Sequence, residues 1–192
     1  REYRAILTSN FAQGWASMGV RVALVPLFVQ DGLGYGSAWA GIILACYAAG
    51  NMIAILVSGR LSDRYGRRTV MIPGLIVAAV GTVFLGYSPN IWVALALTAV
   101  AGVGSGLFAP THQAALGDML AGRRRGGSAL AAYGMASDLG AVSGPLLTGL
   151  IADAFGFGPA FVVTGAVLVV ALLTWLGSGD AAVERRSVPA TG

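Results

Sequence analysis

Gly59-Arg60-Leu61-Ser62-Asp63-Arg64-Tyr65-Gly66-Arg67-Arg68 lies between two long apolar runs and holds four of the chain's twelve cationic residues, all of them arginine. Ninety positions later the pattern returns. Gly149-Leu150-Ile151-Ala152-Asp153-Ala154-Phe155-Gly156 repeats its first eight positions as glycine, any residue, aliphatic, small, aspartate, any residue, aromatic, glycine. The second copy carries no arginine.

The sequence around these two stretches is 56% hydrophobic and 10% charged, with a mean hydropathy of +0.76. A soluble domain carries roughly a quarter charged residues. Apolar runs of about 20 residues, each long enough to cross a bilayer core of about 30 Å as a helix, recur along the chain. Six helices are predicted, over 5–29, 37–58, 69–87, 91–112, 127–151 and 158–177. The runs are continuous rather than alternating, which excludes a transmembrane β-barrel. The fold class is therefore an all-α integral membrane protein. Its six-helix domain spans residues 1–178, and a cytoplasmic tail covers 179–192. The chain opens on Arg1 rather than methionine, which predicts missing upstream residues, and no signal-peptide pattern is present.

Arginine placement sets the topology. Arg1 and Arg4 precede the first helix, and Arg60, Arg64, Arg67 and Arg68 follow the second. Arg123, Arg124 and Arg125 follow the fourth, and Arg185 and Arg186 follow the sixth. The three alternate loops have no lysine or arginine. The positive-inside rule puts both termini and both arginine-rich loops in the cytoplasm of a multi-pass inner or plasma membrane protein. The two copies of the repeat then fall on opposite sides. Residues 5–87 and 91–177 thus read as a 3+3 inverted repeat, a building rule of secondary transporters. The net charge of +4 follows from this topology and gives no reason to expect a nucleic-acid partner.

Asn10, Gln13, Ser17 and Arg21 recur at three- or four-residue spacing, on one face of the first helix. Tyr47, Asn51 and Ser58 form a similar stripe on the second, Thr98, Gly102 and Ser105 mark the fourth, and Tyr133, Ser137 and Asp138 mark the fifth. The third and sixth helices carry little besides threonine. They are expected to face lipid, with the other four facing protein or a cavity. Arg21 has three readings: a site for an anionic substrate group, a partner for Asp138, or an arginine snorkelling to the outer interface. Asp138, near mid-membrane, is either a proton carrier or a hydrogen-bonded group joining two helices. His112 is expected at the cytoplasmic interface, and the tryptophans Trp39, Trp92 and Trp175 in an interfacial belt. With one histidine and one cysteine, no metal site is expected, and Gly102 to Gly106 lacks the spacing of a nucleotide loop. No nucleophile–base pair is visible, so neither an enzyme nor a cofactor is expected.

The stretch from Gly59 to Arg68 resembles the G-x-L-(S/A)-D-R-x-G-R-R signature of the major facilitator superfamily. Gly140-Ala141-Val142-Ser143-Gly144-Pro145-Leu146-Leu147-Thr148-Gly149 is similar to the family's G-x-x-x-G-P-x-x-x-G helix, fifth or eleventh in the full fold. The resemblance covers the whole chain but half of a twelve-helix transporter. It implies the carboxy-terminal half. Thr98 stands where the amino-terminal half usually has an arginine, Asp138-Leu139-Gly140 suits an eleventh helix, and the chain opens straight into a helix and ends in a short polar tail.

The resemblance further implies a cytoplasmic latch built from Gly59, Asp63, Arg64, Gly66, Arg67 and Arg68. Gly59 would allow close helix approach, Gly66 a tight turn, and Asp63 an ion pair or a helix cap. A loop that only fixes orientation is the plainer reading. Gly140, Gly144, Pro145 and Gly149 would form a sliding helix interface. Asn10, Gln13, Arg21, Tyr47, Asn51 and Asp138 are the candidate cavity and transport residues. The implied activity is proton-coupled export of a small organic molecule, as in bacterial drug exporters. The implied partners are protons, the substrate, membrane lipid and the other six-helix half, upstream in the same chain or in a second copy. Uptake of a sugar or organic anion, or a half-size homodimeric or non-transporting membrane protein, are the alternatives.

Overall fold

A computed structural model describes residues 2–120 and 127–177. Arg123, Arg124, Arg125 and the tail at 179–192 lie outside the described residues. Six helices are long and apolar enough to span a membrane. The first, α1, runs through Tyr3–Gly32 and includes two π-helical stretches, Gly14–Val20 and Phe28–Gly32. It is followed by α2 (Ser37–Tyr65), α3 (Arg67–Leu85), α4 (Ile91–Leu120), α5 (Gly127–Phe155) and α6 (Phe157–Gly177). No strand occurs among the described residues.

Three helices run further than the apolar pattern predicts. The end of α2 continues through Ser62 and Asp63 to Tyr65, α4 passes His112 to Leu120, and α5 reaches Phe155. Hydropathy marks where a helix leaves the bilayer, whereas the backbone ladder stops only at a breaker. That breaker is Gly66 in the first repeat and Gly156 in the second. Both adopt positive φ, 90° and 88°, a region closed to most side chains. Their N–H groups donate to the carbonyls of Ser62 and Ala152, each at 2.9 Å. The two copies of the sequence repeat thus end their helices in the same way. At the start of α4, Asn90 caps the helix by accepting the Val93 N–H at 3.0 Å.

Glycines decide which helices touch. On α4, Gly102 and Gly106 meet α2 backbone at Tyr47 and Asn51, and Gly104 meets α3 at Gly74 and Ala78. Added side chains there would strike main-chain atoms, so α4 is clasped between α2 and α3. In the same way α1 seats on α5, and α6 bridges α1 to α3. The apolar core forms two clusters. One, toward the Arg67 end, includes Ile6, Met71, Leu75, Phe108 and Leu168. The other, toward the opposite end, includes Leu24, Phe28, Ile43, Leu85 and Phe161.

Burial within the chain differs from helix to helix. The apolar windows of α3 and α6 are 50% and 39% buried within the chain, against 22% for α2 and 17% for α5. The helices with most unpartnered apolar surface are therefore α2 and α5, where Met52, Leu56, Met135, Leu139, Val142 and Leu146 stand exposed. The polar stripes of α2 and α5 drew attention to one face of each. Burial is decided by the small residues that let α3 and α6 sink into the bundle.

Candidate functional site

The polar face of α1 becomes a track between helices. Its π-helical stretch is visible at Arg21, whose N–H donates to the Ala16 carbonyl. Such π turns recur at functional sites. Here the stretch turns Gly14 and Gly19 toward Ser137, Ala141 and Pro145 of α5, while Ser17 faces α2 and α4. The Ser17 hydroxyl shares hydrogen bonds with the Tyr47 hydroxyl at 3.0 Å and with the Ser105 hydroxyl at 3.3 Å. Ser105 donates in turn to Gln13 Oε1 at 3.4 Å. Asn51 Nδ2 donates to the Gly102 carbonyl at 3.4 Å, closing α2 onto α4.

Arg21 sits at the far end of this track, 5% exposed. Its guanidinium carbon lies 3.5 Å from the centre of the Tyr47 ring. Nε and Nη1 are buried without a hydrogen-bond partner. The snorkelling geometry is not adopted. Nor does Arg21 pair with Asp138, which is exposed on the open face of α5. Asp138 makes no ion pair among the described residues.

Toward the Arg67 end the track closes on a residue that the sequence placed at an interface. His112 is fully buried, and corrects that expectation. Its Nδ1 lies 3.0 Å from the Phe108 carbonyl and its Nε2 3.3 Å from Asn10 Oδ1. The orientation of Asn10 is fixed by its other end, where Nδ2 donates to the Tyr133 carbonyl at 2.6 Å. The imidazole ring stacks on Phe108 and leans on Tyr133. His112 thus ties α4 to α1 and α5. Trp175, expected in the interfacial belt, is buried likewise. Trp15 Nε1 donates to Thr164 at 3.3 Å and Trp175 Nε1 to Ser9 at 2.6 Å. Trp39 and Trp92 meet edge to face at the opposite end, 5.7 Å apart.

The arginine-rich stretch forms a second centre. Arg67 Nη2 lies 2.7 Å from Asp118 Oδ2, an ion pair between α3 and α4. Asp63 is exposed and lines, with Ser58, Ser62, Arg67 and Thr111, a cavity of about 160 Å³. Arg67 Nη1 is buried beside it without a partner. Arg68 donates to the Leu176 carbonyl at 3.1 Å, and the Arg64 guanidinium lies 5.4 Å from the Tyr65 ring centre. Asp118 was not singled out from the sequence. One of only eight acidic residues, it lies beyond the predicted end of the fourth helix, in what the apolar pattern reads as a loop.

The glycine motifs divide. Gly140 meets the backbone of Phe11 and Trp15, Gly144 meets Trp15, and Pro145 presses on Gly19. A side chain at Gly59 or Gly149 would meet no atom within 4 Å. The close helix approach expected at those two positions is not made within this chain, because both sit on the open faces of α2 and α5.

The family model of the Major Facilitator Superfamily matches residues 6–192. The chain is similar to the multidrug resistance protein MdtG of Proteus mirabilis (strain HI4320), with 31% identity over 166 residues. That alignment covers 84% of this chain and 40% of the relative. The MdtG of Citrobacter koseri is 32% identical over 165 residues, covering 84% and 40% of the two chains. The chain thus spans about two fifths of the length of these curated relatives. The crystal structure of peptide transporter POT in complex with sulfate gives a TM-score of 0.81 at 22% identity, covering 92% of this chain and 37% of that one. A bacterial homologue of the human drug peptide transporters PepT1 and PepT2 gives 0.80 at 23% identity, over 94% and 42%. These last two are likenesses of fold.

Proposed function

Because the chain belongs to the Major Facilitator Superfamily, we propose that it supplies one six-helix half of a proton-coupled exporter of small organic molecules working by alternating access. The observation that carries this reading is the polar track of α1, α2 and α4 inside an otherwise apolar bundle. Polar groups at membrane depth are costly and mark transport pathways. Export rather than uptake is supported by the multidrug resistance relatives, at 31% identity.

In this reading the Arg67 end is cytoplasmic, as are both termini, and the protein sits in the inner membrane. The exposed faces of α2 and α5 meet a second six-helix half, either upstream in the same chain or in a second copy. The glycine-proline pattern of α5 and Thr98 on α4 make this the carboxy-terminal half. The Arg67–Asp118 pair and Asp63 belong to a latch that closes when the cavity opens outward. Asp138, exposed toward the other half, carries the proton. Its exposed carboxylate is free to be shielded and released as the halves rock. Residues 5–87 and 91–177 are the two inverted repeats of this half.

Expression of the full-length protein in cells lacking their major efflux systems tests the reading. Accumulation of at least one dye from a panel of cationic, neutral and anionic fluorophores is expected to fall, and a protonophore to restore it. Accumulation that is unchanged by expression for every dye of the panel contradicts export.

A further inference from the structure

We propose that Arg21 is the recognition point for a carboxylate on the transported molecule, so that the substrate class is the organic anion. The inference rests on the transporter reading and names its substrate. Arg21 lies about 16 Å from the Gly32 end of α1 at 1.5 Å per residue, well inside the span. A guanidinium stays charged in a protein and is expensive to hold at such depth without a counter-charge. Among the described residues no carboxylate pairs with it. The N–H groups on Nε and Nη1 point at no acceptor.

What compensates the charge in this state is the face of Tyr47, 3.5 Å from the guanidinium carbon. A ring face is a weak substitute for an anion. Tyr47 is half-buried and is held over Arg21 by its hydroxyl contact with Ser17. Beside it, Met18 and Val22 on α1 are exposed, 66% and 61%. Arg21 is thus flanked along α1 by exposed residues. A carboxylate arriving there exchanges the ring contact for charge-assisted hydrogen bonds to the free N–H groups. The Ser17, Ser105 and Gln13 groups that continue the track are neutral, which suits a substrate with one anionic end and an uncharged polar body.

Thermal unfolding of the purified full-length protein tests this, in neutral detergent free of phospholipid, so that no lipid phosphate supplies the anion. Benzoate is the probe and benzamide its uncharged match. Benzoate is expected to raise the unfolding midpoint saturably and benzamide not to. Arg21→Gln is expected to abolish the benzoate response. Arg21→Lys, which keeps the charge and guards against a misfolded glutamine variant, is expected to weaken apparent affinity at least about tenfold. Equal responses to benzoate and benzamide overturn the proposal, as does a lysine variant with wild-type affinity. If a carboxylate of the other half neutralises Arg21, benzoate has no effect on the wild type, which also overturns it. A protein that answers benzoate through Arg21 but shows no coupled flux refutes the transport reading alone. One that pumps without an Arg21-dependent benzoate response refutes the anion site alone.

Discussion

Arg67 and Asp118 meet at 2.7 Å across the seam between α3 and α4, with side chains 33% and 68% exposed. A pair so open to solvent contributes at most about 1 kcal/mol to folding. Its position matters more than its strength, because it joins the arginine-rich stretch to the end of α4 beside Asp63. Arg67→Gln and Asp118→Asn are each expected to leave the unfolding midpoint nearly unchanged and to slow transport. The exchange Arg67→Asp with Asp118→Arg is expected to recover part of the rate. A wild-type rate in both single variants removes the pair from the latch.

Gly66 and Gly156 share the positive φ that ends their helices. Alanine at either position is expected to destabilise by about 1–2 kcal/mol, since left-handed backbone is strained for any residue with a Cβ. Chemical unfolding of the two variants should give similar losses. A loss at Gly66 alone would mean that the two copies of the repeat are not mechanically equivalent.

Gly102 and Gly149 separate packing glycines from open ones. Gly102→Ala pushes a methyl group into the Tyr47 backbone and is expected to cost about 1–3 kcal/mol. Gly149→Ala meets open space within this chain and should leave the stability of the half unchanged. If folded Gly149→Ala protein transports poorly, the residue acts at the contact with the other half. Unfolding of Gly149→Ala at the level of Gly102→Ala would show that the helix contacts described for α5 are incomplete.

Asn10 satisfies a buried ring nitrogen of His112. Asn10→Ala leaves that group without a partner in a dry environment and is expected to cost about 1–3 kcal/mol. The double variant Asn10→Ala with His112→Phe removes both polar groups and should recover part of the loss. Additive losses in this double-mutant cycle would show that the two side chains do not interact.

Much of the architecture is legible in the sequence because two signals are nearly independent of packing. Apolar length marks each span, and arginines mark one side of the membrane. The signature from Gly59 to Arg68 then points to the family. What the sequence hides is set by helix ends and by neighbours. His112 looks interfacial only if its helix stops there; the helix continues through Leu120 because nothing in Gln113 to Asp118 breaks it. The same extension turns Asp118 from a loop residue into a partner for Arg67. Arg21 shows a burial that spacing alone cannot give, since Tyr47 comes from a different helix. The seating of α3 and α6 depends on which glycines face a backbone, and Gly59 and Gly104 look alike in the sequence.

Proton-driven flux through the reconstituted full-length protein tests the central claim most directly. Liposomes made acidic inside are given an anionic dye on the outside, and its accumulation is followed for the wild type and for Asp138→Asn. The account predicts accumulation that collapses with a protonophore, and an Asp138→Asn protein that exchanges the dye down its gradient yet no longer concentrates it. Wild-type accumulation that ignores the pH gradient, or full pH-driven accumulation by the asparagine variant, would contradict it.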